Sequence, residues 1–142
     1  QANIRTPFVA LNGDTFLGLD FARMRADFDA RRTDVLMALT HVAEGERYGK
    51  VQSEGKRITG FQEKGQAGPG WINAGVYLFS AAGAERLRHA PRVCSLEKEI
   101  FPVSLAAGRL RAYRSRGRFL DIGIPEDYRR AAELFGPRGK NH

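Results

Sequence analysis

Strand-length apolar runs, each closed by a polar turn and separated from the next by a helical pattern, restrict this chain more than any other feature of its sequence. The longest are Val35 to Leu39 and Val76 to Phe79. Neither approaches the roughly 18 to 20 residues that a helix needs to span a bilayer, so a membrane protein is excluded. Such runs must bury a core of their own, and 142 residues with 42% hydrophobic content suffice for one domain. No internal repeat or low-complexity tract divides the chain. Residues 1–135 read as a single domain, and 136–142, with Pro137 and Gly139, as a short polar tail.

The order of patterns predicts a mixed sheet. Pro7 to Leu11 reads as a buried strand ended by Asn12-Gly13-Asp14, and Asp20 as the N-cap of a helix carrying Phe21, Met24 and Phe28 on one face. A strand follows at Asp34 to Thr40. A hairpin comes next, Tyr48 to Gln52 and Arg57 to Glu63 turned at Glu54-Gly55, then a Gly/Pro-rich loop from Gly65 to Gly70. Trp71 to Phe79 is the longest apolar strand, and a short helix follows near Ala82 to His89. Ser95 caps a helix from Leu96 to Ala107, with Gly108 as its stop. Strands at Leu110 to Arg114 and Arg118 to Ile122 precede a helix from Pro125 to Phe135, in which Pro125 suits the first position and Glu126 and Asp127 the first turn. Strand-helix alternation with a hairpin in its middle specifies an α/β layered fold on a mixed sheet.

In open α/β sheets ligands gather at the carboxyl ends of strands, which directs attention to four places. Asp14 follows an apolar strand and a glycine. It is either a turn residue of an Asn-Gly hairpin or a carboxylate that holds Mg²⁺ through one or two oxygens. Asp121 follows Phe119-Leu120 and is likewise a helix-entry acid or a second metal carboxylate. Two aspartates from separate strands together favour a metal that bridges phosphates. Glu63-Lys64, after Ile58-Thr59-Gly60-Phe61, pairs an acceptor with a cation, as a surface ion pair or as a contact to a sugar hydroxyl and a phosphate. Gly49 and Gly75 sit within strand patterns, where glycine marks a bulge or the close approach of a ligand or backbone. His41, His89 and His142 have no metal-ligand spacing, and no nucleophile elbow, P-loop or G-x-G-x-x-G run occurs. The lone Cys94 excludes an internal disulfide framework and fits a reducing compartment, the cytoplasm being expected.

The formal charge of +7 is local. Residues 106–142 carry nine Lys/Arg against four Asp/Glu, and Arg109, Arg111, Arg114, Arg116 and Arg118 fall mostly two apart. A phosphate-tracking strand would have this spacing. The preferred reading is a solvated edge strand whose charges oppose edge pairing, since no aromatic residues interleave as in a stacking platform and the chain holds 18 Arg against 5 Lys. Nucleic acid is therefore not expected as a partner.

Five segments in order resemble the sugar-phosphate nucleotidylyltransferase family: Val9-Ala10-Leu11-Asn12-Gly13-Asp14-Thr15, Tyr48-Gly49-Lys50-Val51, Ile58-Thr59-Gly60-Phe61-Gln62-Glu63-Lys64, Ile72-Asn73-Ala74-Gly75-Val76-Tyr77 and Phe119-Leu120-Asp121-Ile122-Gly123-Ile124-Pro125-Glu126-Asp127-Tyr128. Within the family, the last segment and Ile72-Asn73-Ala74-Gly75 look most like the D-glycero-α-D-manno-heptose 1-phosphate guanylyltransferases. Ile124 stands where the related mannose and glucose enzymes more often have Thr. The resemblance implies a three-layer Rossmann-like fold of the nucleotidyltransferase type. It also implies a reaction, transfer of a nucleotidyl group from an NTP, GTP by subfamily, to a sugar 1-phosphate, a heptose 1-phosphate by subfamily, with Mg²⁺ as cofactor. On this likeness Asp14 and Asp121 hold the metal, Lys64 contacts the sugar phosphate, Glu63 accepts sugar hydroxyls, and Gly49, Gly75 and Asn73 lie beside the sugar.

The Gly-rich G-G-x-G-T-R-L-like loop with which this family wraps the triphosphate has no counterpart in the sequence. By the resemblance, Gln1 to His142 corresponds to the C-terminal portion of such an enzyme, incomplete at its N-terminal side and inactive alone. An N-terminal segment or a second copy would complete it. The opening strand is then expected to leave an exposed edge or apolar surface. The competing expectation is a non-catalytic sugar-phosphate-binding or regulatory subunit.

Overall fold

The structure, a computed structural model, describes residues 6–135. In chain order the elements are β1 (Phe8–Leu11), β2 (Thr15–Leu17), α1 (Phe21–Ala26), β3 (Val35–Val42), β4 (Lys50–Glu54), β5 (Arg57–Gln62), β6 (Gly70–Phe79) and α2 (Ala81–His89). A π-helical turn (Leu96–Ile100) then leads into α3 (Phe101–Ala106), followed by β7 (Leu110–Arg114), β8 (Phe119–Asp121) and α4 (Pro125–Phe135). Six strands form a mixed sheet in the order β1-β6-β3-β7-β5-β4, and β2 pairs with β8 in a separate ribbon. Only β3 and β7 pair in parallel; the other pairings are antiparallel. The parallel β3–β7 pair makes the sheet mixed, and the expected β4–β5 hairpin turns through Gly55 at φ 57°.

Side-chain alternation distributes the core over the two faces of this sheet. Val35, Met37, Leu39, Tyr77, Phe79, Leu110 and Ala112 pack under Ile100 and Phe101 on the side of α3. Leu36, Ala38, Ala74, Val76 and Leu78 pack with Leu17, Met24 and Phe28 on the side of α1 and β2. The caps expected from the sequence at Asp20 and Ser95 are present, accepting from the Arg23 and Lys98 N–H groups, and Ser80, not marked in the sequence, caps α2 by accepting from the Gly83 N–H.

Three expectations are corrected. Asn12-Gly13 does not close a hairpin, because β1 pairs with β6 while β2, too short to register as a strand pattern, crosses to β8. The helix after Ser95 is not α-helical throughout. Pro102 has no N–H to donate and its ring crowds the preceding turn, so that turn widens. The arginine-rich strand is not an edge: β7 lies between β3 and β5, and its register with β3 is continuous over five residues. Its arginines do not form a stripe either. Arg109 bonds Asp34, whereas Arg114 lies 5.3 Å from the centroid of the Trp71 ring and donates to Ser53. The strand at the sheet edge is β1, with Val9 and Leu11 exposed.

Asp34 pins the layers together. Its carboxylate is fully buried and takes Arg86 Nε at 2.7 Å and Arg109 Nε at 2.5 Å, one on each oxygen. Its carbonyl accepts from the Ser80 N–H that starts α2, and its N–H donates to the Arg109 carbonyl. Asp34→Ala is expected to lower the unfolding free energy by about 3 kcal/mol, the lower part of the range for a broken buried ion pair, because both guanidinium groups are partly exposed and regain water. Urea titration measures this, and a loss below ~1 kcal/mol would show that the carboxylate does not join the layers.

Candidate functional site

The β2–β8 ribbon brings the two sequence-predicted aspartates together. Thr15 stands opposite Asp121, and the Ile122 N–H donates to the Asp14 carbonyl at 2.9 Å. Asp14 is exposed, and Asp121 is half-buried with Oδ1 accepting from the Gly123 N–H at 2.9 Å. Both carboxylates keep free oxygen lone pairs. Among the described residues no group of three or more His, Cys, Asp or Glu side chains is placed to hold a metal. Two carboxylates without further protein ligands fit Mg²⁺, which retains water and takes phosphate oxygens for its remaining positions.

Gly75 ties this ribbon to β6. It sits at a register shift in the β3–β6 ladder with φ 74°, a left-handed conformation open to glycine, and its carbonyl accepts from the Asn12 N–H at 2.8 Å. A Cβ there would press into Thr15 Oγ1 and Asn12 Cβ. Both sequence readings of Gly75 thus meet at one residue, a bulge that permits close approach, and the approaching backbone is that of the Asp14 loop. Asn73 completes the contact, accepting from the Gly75 N–H at 3.0 Å through Oδ1 and donating to the Tyr77 hydroxyl at 2.9 Å through Nδ2.

The other candidates adjoin the ends of the β4 pairings. Lys50 pairs with Gln62 on one side and with Ile72 on the other. Gly49 precedes Lys50 in the chain, as Glu63 follows Gln62 and Asn73 follows Ile72, so all three adjoin the end of these pairings. A Cβ at Gly49 would lie 3.0 Å from the Gln62 carbonyl oxygen, so glycine keeps β4 close to β5 just before Glu63. Glu63 and Lys64 are exposed, and neither makes an ion pair among the described residues. Gly49, Glu63 and Asn73 thus adjoin the ends of the β4 pairings, and Asn73 is joined through Gly75 to the loop that carries Asp14 alongside β8. A cavity of about 560 Å³ between the residue 44–48 loop and α4 is lined by Asp121 but by none of the other six candidate residues.

Tyr77 belongs to this site and was not marked as a site residue by sequence reasoning. Burial raises its pKa above the ordinary tyrosine value, with the nearby charges of Glu97 and Asp14 acting in the same direction against hydrogen bonds from Asn73 and Asn12. Its spacing of four from Asn73 was the available signal, hidden within an apolar strand. Tyr48 is raised as well, by burial first and then by the charge of Asp121.

A comparison with family models matches residues 1–136 to the Nucleotidyl transferase family. The chain belongs to that family. It is 34% identical over 123 residues to the D-glycero-alpha-D-manno-heptose 1-phosphate guanylyltransferase of Aneurinibacillus thermoaerophilus, covering 87% of this chain and 53% of that protein. It is 38% identical over 125 residues to the mannose-1-phosphate guanylyltransferase catalytic subunit beta of Danio rerio, covering 86% of this chain and 34% of that protein. Among solved structures, the crystal structure of HddC from Yersinia pseudotuberculosis superposes with a TM-score of 0.77 at 30% identity, over 92% of this chain and 56% of that one. HddC complexed with GMP-PN gives a TM-score of 0.74 at 28% identity, over 92% of this chain and 56% of that one. The chain thus has the nucleotidyltransferase fold and spans about half or less of these relatives' length.

Tyr77 supplies a pH test of the site. A folded pKa above the ordinary tyrosine value of about 10 means that the stability tied to the neutral hydroxyl is complete below pH ~10 and is lost as pH rises beyond it. Melting temperature is expected to fall more steeply above pH 10 for the native chain than for Tyr77→Phe. Parallel curves would show that the hydroxyl is not held in the buried network.

Proposed function

We propose that the whole protein transfers a nucleotidyl group from an NTP, GTP by the names of its relatives, to a sugar 1-phosphate, a heptose 1-phosphate in particular, yielding an NDP-sugar and pyrophosphate. This chain supplies the sugar side and the metal side of the site. The observation that supports the reading is that β4 pairs with both β5 and β6 next to Gly49, Glu63 and Asn73, and that Asn73 is joined, through Gly75, to the loop holding Asp14 alongside β8.

In this reading an oxygen of the sugar phosphate attacks the α-phosphorus of the NTP in line and pyrophosphate leaves. The work of the protein is to place two polyanions together. Glu63 accepts hydrogen bonds from sugar hydroxyls, and Gly49 and Gly75, held close to the Gln62 carbonyl and to Asn12 and Thr15, supply the backbone that lies beside the ring. Asn73 is held by the Gly75 N–H and the Tyr77 hydroxyl, so its amide is fixed before the sugar arrives. Lys64, free of carboxylate partners among the described residues, is available for the sugar phosphate. Asp14 and Asp121 would hold Mg²⁺, whose contribution when bound is neutralisation of phosphate charge.

The Gly-rich triphosphate loop of the family resemblance is absent from the sequence, so the bare chain is expected to be inactive. The assay follows GTP-dependent pyrophosphate release with heptose 1-phosphate and Mg²⁺, with and without a supplied N-terminal nucleotide-binding segment. Release is expected only with that segment, and Asp14→Asn or Asp121→Asn should lower it at least ~100-fold. Activity of the bare chain would sink the division of the site. Undiminished activity of both aspartate variants would sink the metal role.

A further inference from the structure

The sugar-side residues sit on two loops joined into one unit. The Gly45 N–H donates to the Gly68 carbonyl at 3.0 Å, the Gly65 N–H to the Glu46 carbonyl at 2.9 Å, and Lys50 Nζ to the Ala67 carbonyl at 2.8 Å. Asp121 lies elsewhere, on β8, which runs directly into α4. The cavity of about 560 Å³ separates the two parts, with Glu46, Tyr48 and Gly68 on one wall and Asp121 and Asp127 on the other.

One ion pair crosses that gap. Arg47 Nη1 donates to Asp127 Oδ2 at 3.0 Å, and Arg130 Nη1 donates to Asp127 Oδ1 at 3.3 Å, so the carboxylate is held from two directions. Among the described residues no other salt bridge joins the loop unit to β8 or α4. Exposed pairs contribute little, but the Asp127 side chain is only 12% exposed, and losing a partner leaves a nearly buried charge less well compensated. An aromatic bridge runs alongside. The Arg47 guanidinium lies 5.5 Å from the centroid of the Tyr48 ring, which meets Phe119 of β8 edge-on at 6.1 Å.

We infer that Arg47 and Asp127 are positioning residues: their ion pair fixes the Tyr48-Gly49 and Glu63-Lys64 loops relative to the β8–α4 segment that carries Asp121, and so sets where a bound sugar phosphate lies with respect to that carboxylate. The inference rests on the sugar-phosphate reading above. Neither residue touches the sugar; Arg47 acts through Gly49, two positions on, and Asp127 acts through Arg47. In the sequence, Arg47 is one of 18 arginines and Asp127 one of two acids in a helix's first turn.

The experiment titrates the 142-residue chain with D-glycero-D-manno-heptose 1-phosphate in the presence of Mg²⁺, following the amide resonances of Gly49 and Gly75, with a melting curve for each variant. Arg47→Ala and Asp127→Asn are each expected to raise Kd about tenfold, and the double variant no further than either single one, because the two side chains act as a unit. Arg47→Lys should stay within about threefold of the native chain. A merely structural role would not produce that non-additivity together with rescue by lysine. Native Kd in both single variants, or a loss in the double variant equal to the product of the single losses, would overturn the inference. Glu63→Gln separates it from its foundation. If Glu63→Gln weakens binding and the Arg47 and Asp127 variants do not, the positioning role alone fails. Failure of the native chain to bind, or native binding by Glu63→Gln, overturns the sugar-phosphate reading and this inference with it.

Discussion

The bulge of β6 at Gly75 is the constraint on which the site depends. β6 pairs with β1, β3 and β4, so any change in its course reaches three strands. Without the left-handed glycine, β6 would carry a side chain where the Asp14 loop now packs, and the Asn12 N–H would lose its bond to the Gly75 carbonyl. The shift spans two residues of β6, so Asn73, Tyr77 and Phe79 keep one face on either side of it. Tyr77 and Phe79 enter the core on the α3 side, while Asn73 turns its amide to the Tyr77 hydroxyl at the site's margin. One backbone irregularity thereby joins β6 to the β2–β8 ribbon.

Around that join, rigidity comes from buried charge and close backbone approach. Asp34 fastens β3 to the start of α2 and to Arg109 at the entry of β7. At the far end of the ribbon, Gly117 meets Gly18 so closely that a Cβ at residue 117 would overlap the Gly18 carbonyl, and the Gly18 N–H donates to the Arg118 carbonyl at 2.7 Å. These contacts hold the β2–β8 ribbon in place despite strands of only three residues. The two halves of the site rest on different supports, the ladder for Gly49, Glu63 and Asn73 and the ribbon for Asp14 and Asp121.

Much of this was legible in the residues. Apolar runs located β3 and β6, turn and strand patterns the β4–β5 hairpin, and short polar side chains the caps at Asp20 and Ser95. The cap at Ser80 was not read, and the helix it starts was placed one residue late. The parts that were not legible share a cause. β2 is too short for periodicity to register. The π turn before α3 arises from the conflict of Pro102 with a regular ladder, which a capping pattern does not report. The arginines near residue 110 suggested an edge because charge is normally exposed, yet β7 is interior. Its arginines reach out to Asp34, Ser53 and the Trp71 face instead of lining a solvent edge.

The sequence by itself determined the element types, the mixed character of the sheet and the seven candidate residues, because these follow from local periodicity, turn chemistry and the ordered family segments. Tertiary structure alone decided that Asp14 lies alongside β8, that Gly75 is packed by the Asp14 loop, and that Tyr77 belongs with Asn73. It also decided that Arg47 reaches Asp127, 80 positions along the chain. Strand register and side-chain pairing between distant segments are set by the packing of the whole core, and no local window of sequence contains that information.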